Sequence, residues 1–245
     1  MKKILCFFGA LVFALTSCSS DDSSSNSDSG TVLLKKTVKT DPDGEKITTI
    51  YKYDGNKIVS ITDGDEFNRY FTYDGDLITK IEYKYPNGEV EQINTYEYKD
   101  GKLTTFLRVD PEINWGSKEV YTYNANGTVT AVSYSGDSKS QTLKGDTATI
   151  KFVNGEVSEI IDDKGWGHKY TYDSKNNPLK NIVGFDKLAF EDGEAEGVNH
   201  NMLTDKDISE DDLWINSTYT YNENGYPVKE VDEGSDVPGV TEFFY

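Results

Sequence analysis

The sequence predicts an all-β fold: an antiparallel up-and-down meander of many short hairpins, rolled or barrel-like. Three observations carry that expectation. One short phrase recurs along the chain, as "YKYDGNKIVSI", "FTYDGDLITKI", "YEYKDGKLTTF", "YTYNANGTVTAVSY", "YTYDSKNNPLKNI" and "YTYNENGYPVKEV". Turn signals such as "DPDGE", "YPNGE" and "NANGT" punctuate the chain with little between them. Between turns the residues alternate. In "KIEYKY" Ile81, Tyr83 and Tyr85 share one face and Lys80, Glu82 and Lys84 the other, the period of a half-buried strand.

The elements follow in chain order. The sequence begins "MKKILCFFGALVFALTSCSSDD", where Lys2 and Lys3 precede an apolar run from Ile4 to Leu15. That run is too short to span a bilayer, and small residues follow it, so residues 1–17 read as a secretory signal peptide. Residues 18–31, Cys18 and the polar stretch after it, hold nothing to bury and read as a flexible Ser/Asp tether. Residues 32–245 remain for a single β-meander domain. In "DPDGE" and "YPNGE" proline suits the first central position of a type I turn and Asp or Asn the next. Glycine suits the left-handed site after them, which closes a three-residue hairpin loop with a bulge. After the repeated turns come apolar residues three apart: Leu103/Phe106, Val129/Val132, Val157/Ile160, Leu179/Ile182 and Val228/Val231. This spacing breaks strict alternation and predicts a bulge just past the turn. Only "LTDKDISEDDLW" hints at a helical period. Counting turns gives roughly sixteen strands, more than an open sheet carries without curling or splitting. The expected result is a rolled or flattened sheet, partly plugged by an insertion at 184–216, rather than a clean tube.

Composition narrows the function classes. A formal charge of -18 disfavours nucleic acid and anionic membrane surfaces as partners and suits solubility outside the cell. Of the two cysteines, Cys6 lies in the cleaved segment and Cys18 at its border, so the domain is built without a disulfide. His168 and His200, separated and with no thiol beside them, make no zinc set. Acids crowd the turns without a full calcium-loop signature. No metal and no cofactor is expected. "GWGH" and "GVNHN" match no nucleophile motif, and so many acids allow any glycosidase pair to be chosen at will. The expectation is therefore a protein with no catalytic residues.

Several stretches resemble known families. "LTSC" resembles the lipobox of bacterial lipoproteins, in which the cysteine, here Cys18, becomes the lipidated first residue. "SSDD" directly after it resembles the surface-export signal of Bacteroidetes-type lipoproteins. "YDGDLITKI" and "YDSKNNPLKNI" resemble YD repeats, the hairpin units of Rhs-type shells, although those shells need far more repeats to enclose a cargo. Over nearly the whole mature chain, the lipobox, the repeated YxY-turn units, "NNPLKNIVGFDKL" and the "TEFFY" end resemble a family of uncharacterised Bacteroidetes-type lipoproteins. That family is described as porin-like in fold and has no agreed activity. The resemblance implies a porin-like but water-soluble domain, held at the outer membrane by lipid on Cys18. It places the domain on the cell surface, with the periplasmic face as the alternative. "TEFFY" also looks like the last strand of an outer-membrane barrel. "EVEQINTYEY" nevertheless lacks the unbroken apolar face of a lipid-facing strand, since Val90, Tyr96 and Tyr98 share a face with Gln92 and Asn94.

Successive turns of a meander alternate between its two ends. Gly55, Gly75, Gly101, Gly127, Gly155, Asn177 and Gly225 then fall at one end, and the return turns, 184–216 among them, at the other. Trp115, Trp166, Trp214 and both histidines lie in or beside return loops. Trp115, Trp166, Trp214 and His168 are the candidate binding residues, because flat rings and polar loop atoms suit a saccharide or a peptide. The competing assignment is that these tryptophans cap the open end of the core. Trp115/Tyr121 and Trp166/Tyr170 have even offsets but Trp214/Tyr219 is odd, so Trp214 faces the other way unless a bulge intervenes. The expected function is a non-enzymatic binding or scaffold module for a glycan or an extracellular protein. The alternative is an assembly role, with the sheet edge at "TEFFY" pairing with another strand.

Overall fold

The computed structural model describes residues 31–41, 43–63, 67–234 and 238–245. The expected signal peptide, Cys18 and nearly all of the tether lie outside the described residues. The first half of the wall is β1 (Lys36–Thr40), β2 (Lys46–Asp54), β3 (Lys57–Thr62), β4 (Asn68–Asp74), β5 (Leu77–Lys84), β6 (Val90–Lys99), β7 (Lys102–Asp110) and β8 (Trp115–Tyr123). The second half is β9 (Val129–Asp137), β10 (Ser140–Val153), β11 (Glu156–Asp162), β12 (Gly167–Tyr172), β15 (Met202–Asp207), β16 (Leu213–Tyr221), β17 (Pro227–Asp232) and β18 (Gly239–Phe244). Between β12 and β15 lie a 3-10 turn (Phe185–Leu188) and a small hairpin, β13 (Phe190–Glu191) and β14 (Glu194–Ala195).

The sixteen wall strands run antiparallel in sequential order, and β18 pairs with β1, so the sheet closes into a barrel. The expected rolled, barrel-like meander of about sixteen strands is present in its closed form and not in the flattened one. Closure also removes the expected free edge at "TEFFY": β18 is hydrogen-bonded to β17 on one side and β1 on the other. Nor is "LTDKDISEDDLW" helical, because it forms β15, a turn and the start of β16.

Sixteen strands enclose more space than wall side chains can fill. The chain from 173 to 201 fills part of it, which corrects the expected insertion at 184–216, since Met202–Asp207 and Leu213–Tyr221 are wall strands. The segment also enters from the opposite end to the one expected. It crosses the repeat-turn end, where Asn176 N–H bonds Gly225 O and Val183 N–H bonds Asn56 O at 2.9 and 3.0 Å. It then turns into the lumen and returns to the same end, where Asp173 N–H bonds Asn201 O at 3.0 Å. Leu188, Ala189, Phe190, Ala195 and Val198 of this plug are buried against Tyr96, Phe106, Tyr121, Val129 and Ile150 of the wall. His200 therefore belongs to the repeat-turn end and not to the return loops.

The three-residue spacing has the predicted cause at two of the five pairs. Ladder shifts beside Thr104 and Ser158 turn Leu103 with Phe106, and Val157 with Ile160, toward the lumen. Leu179 and Ile182 lie in turns of the plug and on no strand. The two remaining wall pairs also differ. The β8–β9 ladder is regular, so Val129 and Ala131 face inward and Val132 outward. On β17 the bulge falls at Val228 itself, and Pro227 and Glu230 are the inward residues. Outward positions carry two strings of ion pairs, Lys80, Glu82 and Lys84 in one and Lys151, Glu159 and Lys169 in the other.

The repeated tyrosine has a wall function. Where each inbound strand begins, an apolar residue is fully buried: Leu34, Ile58, Ile78, Leu103, Val129, Val157 and Pro227. At four of these positions a tyrosine ending the next strand reaches across to that residue's backbone, whereas Tyr123 makes no such bond to Leu103. Tyr53 OH donates to Leu34 O at 2.6 Å, Tyr98 OH to Ile78 O at 2.7 Å and Tyr245 OH to Pro227 O at 2.9 Å. Tyr73 OH accepts from Ile58 N–H at 3.2 Å and donates to Val183 O of the plug at 3.1 Å. On β16 the first tyrosine of the unit does this work, with Tyr219 OH donating to Met202 O at 3.0 Å. Each contact meets a backbone group left over where adjacent hairpins diverge.

Candidate functional site

The plug leaves a hollow on the return-turn side. Its tip is the two-residue turn Asp192–Gly193 of "FEDGEA", and both residues sit at positive φ, 54° and 81°, as a type I′ hairpin requires. Arg108 on β7 holds the tip: one guanidinium nitrogen lies 3.1 Å from the Asp192 carboxylate and the other 3.2 Å from Asp110. The same guanidinium lies 5.6 Å from the Trp115 ring. Alternation from buried Phe106 aims Arg108 and Asp110 inward, and the direct pairing of Asp110 with Trp115 places Trp115 on the same face.

Beside the tip is a cavity of about 290 Å³. Tyr83, Gln92, Asn94 and Arg108 line it from the wall, and Glu191, Asp192, Glu194 and Glu196 from the plug. Arg69 pairs in register with Tyr83 and so faces the same space. Glu196 borders the same cavity and keeps open surface there. Burial pushes the Glu191 carboxyl up to about 8, with Glu196, Asp192 and Glu119 adding to the shift and Tyr96 opposing it. Burial likewise raises Glu196, against the pull of Arg69, and raises Glu119, against the hydrogen bond from Tyr121. One oxygen of Glu191, Oε2, is shut from water and has no hydrogen-bond partner. A buried carboxyl with an unmet oxygen beside further carboxylates is electrostatically incomplete, and a cation would complete it.

A second cluster lies on β12, β15 and β16. His168 Nδ1 is 2.6 Å from Asp205 Oδ1, and both side chains are largely buried. Trp214 packs edge-on against the His168 ring at 4.4 Å, and Tyr170 stacks beyond it at 6.1 Å. The odd offset of Trp214 is resolved by a bulge: Asp205 pairs with Ile215 and Lys206 with Leu213, which leaves Trp214 between them and turned onto His168. Asp205 fixes the orientation of the imidazole. Among the described residues, His168 is hydrogen-bonded to Asp205 and to no serine, threonine or cysteine side chain.

The four expected site residues do lie at the return-turn end, but they do not form one platform. His168 and Trp214 meet. Trp115 sits with Arg108, four strands away from β12, which at the usual strand spacing is roughly 19 Å. Trp166 is 61 % exposed in the turn between β11 and β12, with the Lys164 ammonium 5.8 Å from its ring. Sequence reasoning missed the plug carboxylates. Their signal was present, four acids in the six residues "EDGEAE" between apolar "LAF" and Val198, an expensive composition to enclose. Among the described residues, no group of three or more histidine, cysteine or acidic side chains is arranged to hold a metal ion.

No protein-family model matches the chain, and no curated protein matches it in sequence. Solved structures do match in fold. A porin-like protein from Bacteroides vulgatus superposes with a TM-score of 0.55 at 12 % identity, over 88 % of this chain and 99 % of that one. A porin-like protein from Bacteroides uniformis gives 0.51 at 14 % identity, over 88 % and 98 %. The chain shares with them a porin-like, closed antiparallel barrel.

Proposed function

We propose that this protein is a lipid-anchored binding module of the outer membrane whose ligand carries a cationic group and enters the hollow beside the plug tip. The observation that carries the reading is Glu191, buried beneath a lumen that the plug obstructs, with one oxygen unmet and Asp192, Glu194 and Glu196 around it. A lumen filled from one end suits capture better than passage. The amine of an amino sugar or a basic side chain of an extracellular protein fits the charge. Anchoring rests on the "LTSC" resemblance at Cys18 and on the outward strings of Lys80, Glu82, Lys84, Lys151, Glu159 and Lys169, which lipid would not tolerate on a wall strand. The His168–Asp205 pair serves as a fixed hydrogen-bonding group at the mouth, and the protein is not an enzyme.

Calorimetric titration of the detergent-purified lipoprotein tests the reading. The probes are chitosan trimer, its fully N-acetylated counterpart and a lysine-rich peptide. Binding of a cationic probe, accompanied by proton release and lost in Glu191→Gln, is expected. Equal binding of charged and acetylated trimers, or binding indifferent to Glu191→Gln, contradicts it.

A further inference from the structure

The seam between β11 and β12 comes apart toward the repeat-turn end. Only Glu159, Ile160 and Ile161 pair with Lys169, His168 and Gly167, so the lower parts of both strands diverge. Their separation leaves a slit of about 380 Å³ through the wall, with Glu156 and His200 at its floor and Tyr170 and Tyr172 along one side. Tyr172 occupies the place in its repeat that Tyr53, Tyr73, Tyr98 and Tyr245 occupy in theirs, and its expected partner is the backbone of Val157. It makes no such bond. The Tyr172 hydroxyl is buried without a partner, whereas that of Tyr170 lies against the Ala195 backbone of the plug.

The chemistry of the slit selects a neutral ligand. Glu156 is already satisfied, since it accepts the N–H groups of Val198, Asn199 and His200 at 3.1, 2.8 and 2.9 Å and lies 3.1 Å from His200 Nδ1. Asp173 is likewise taken up by Tyr221, Asn201 and the Lys175 N–H. No lysine or arginine lines the space, so nothing draws in an anion. Besides Val153, what remains is two tyrosine rings, the unmet Tyr172 hydroxyl, and the polar side chains of Asn154, Ser158, Thr171 and Ser174. Neutral donors and acceptors beside aromatic faces recognise a ring bearing hydroxyls, and the volume falls in the range of small-ligand sites.

We propose that the slit between β11 and β12 binds a neutral sugar residue, whose hydroxyls partner Tyr172, Ser158 and Ser174. The site is independent of the cationic ligand beside Glu191. The test is titration of the detergent-purified lipoprotein with maltotriose and with cellotriose. At least one is expected to bind, with affinity at least tenfold weaker in Tyr172→Phe and abolished in Val153→Trp, which fills the slit from its exposed edge. Tyr73→Phe is expected to leave that affinity unchanged. Absence of binding by both sugars overturns the proposal, as does undiminished affinity in Tyr172→Phe and Val153→Trp. A crystal soaked with the sugar that binds, showing only water in the slit, overturns it as well.

Discussion

Two seams of the same wall show opposite solutions to one problem. Between β3 and β4 only Ser60 and Ile61 pair with Tyr70 and Arg69, so these strands also diverge toward the repeat-turn end. There Tyr73 fills the gap, takes the Ile58 N–H and passes a hydrogen bond to Val183 of the plug. Between β11 and β12 the equivalent tyrosine has no partner and a cavity stands in the gap. The same repeated residue is thus structural in one seam and available in the other. Two buried carboxyls divide the same way: Glu156 has four partners, whereas Glu191 keeps one oxygen unmet. Groups whose bonds are met hold the barrel, and groups left unmet mark where a ligand belongs.

Substitutions sharpen that division, beginning with the largest effect. Glu156→Ala should destabilise the protein by about 3–5 kcal/mol, because three backbone N–H groups of the plug lose their acceptor together. Denaturant unfolding reads the loss, and a cost below about 1 kcal/mol would mean the plug is held otherwise.

Glu191→Gln should act in the opposite direction. Its folded pKa, about 8, lies above the unfolded value of about 4.5. The native state therefore keeps a proton that the unfolded chain has released, and the stability this confers is lost as pH rises from about 4.5 through about 8. Glutamine removes that loss. The variant should be more stable than the parent at pH 9, by on the order of 2–4 kcal/mol, with the two converging near pH 4. Parallel stability profiles across that window would show that the carboxyl is already solvated.

The smallest effect belongs to the outer wall. Lys80→Ala removes one member of an ion-pair string in which Lys84 still faces Glu82, and should change stability by about 0.5 kcal/mol or less. A larger loss, measured by thermal unfolding in low and high salt, would assign the outer charges a structural role.

Much of the architecture was legible because hairpin chemistry is local. "DPDGE", "YPNGE" and the alternation around Ile81 and Tyr83 specify turn, strand and facing without reference to distant residues. The return-turn placement of Trp115, Trp166 and Trp214 followed from counting turns. Closure of the sheet was not legible, because nothing local to Thr37 and Phe243 distinguishes a paired strand from an edge strand. The plug was misplaced for a related reason. "LTDKDI" and "LWINS" lack the repeat's phrasing although they continue its wall, and a segment folded inward uses the same apolar residues as one folded across a loop. The cavity depends on which carboxyls meet across the lumen, and no spacing in the sequence encodes that. The orphaned Tyr172 was invisible for the same reason: its "YTY" is identical to that ending β8 and β16, and only the divergence of β11 sets it apart.

The most direct test of the contrast between met and unmet groups is thermal unfolding of Tyr73→Phe beside Tyr172→Phe. Loss of the Tyr73 hydroxyl strands Ile58 N–H and Val183 O, and should cost about 1–2 kcal/mol, a fall in Tm of about 3–6 °C for a domain of this size. Loss of the Tyr172 hydroxyl removes no bond, and should leave Tm unchanged or raise it. Equal falls in both variants would contradict the account, because they would show that the two seams are closed in the same way.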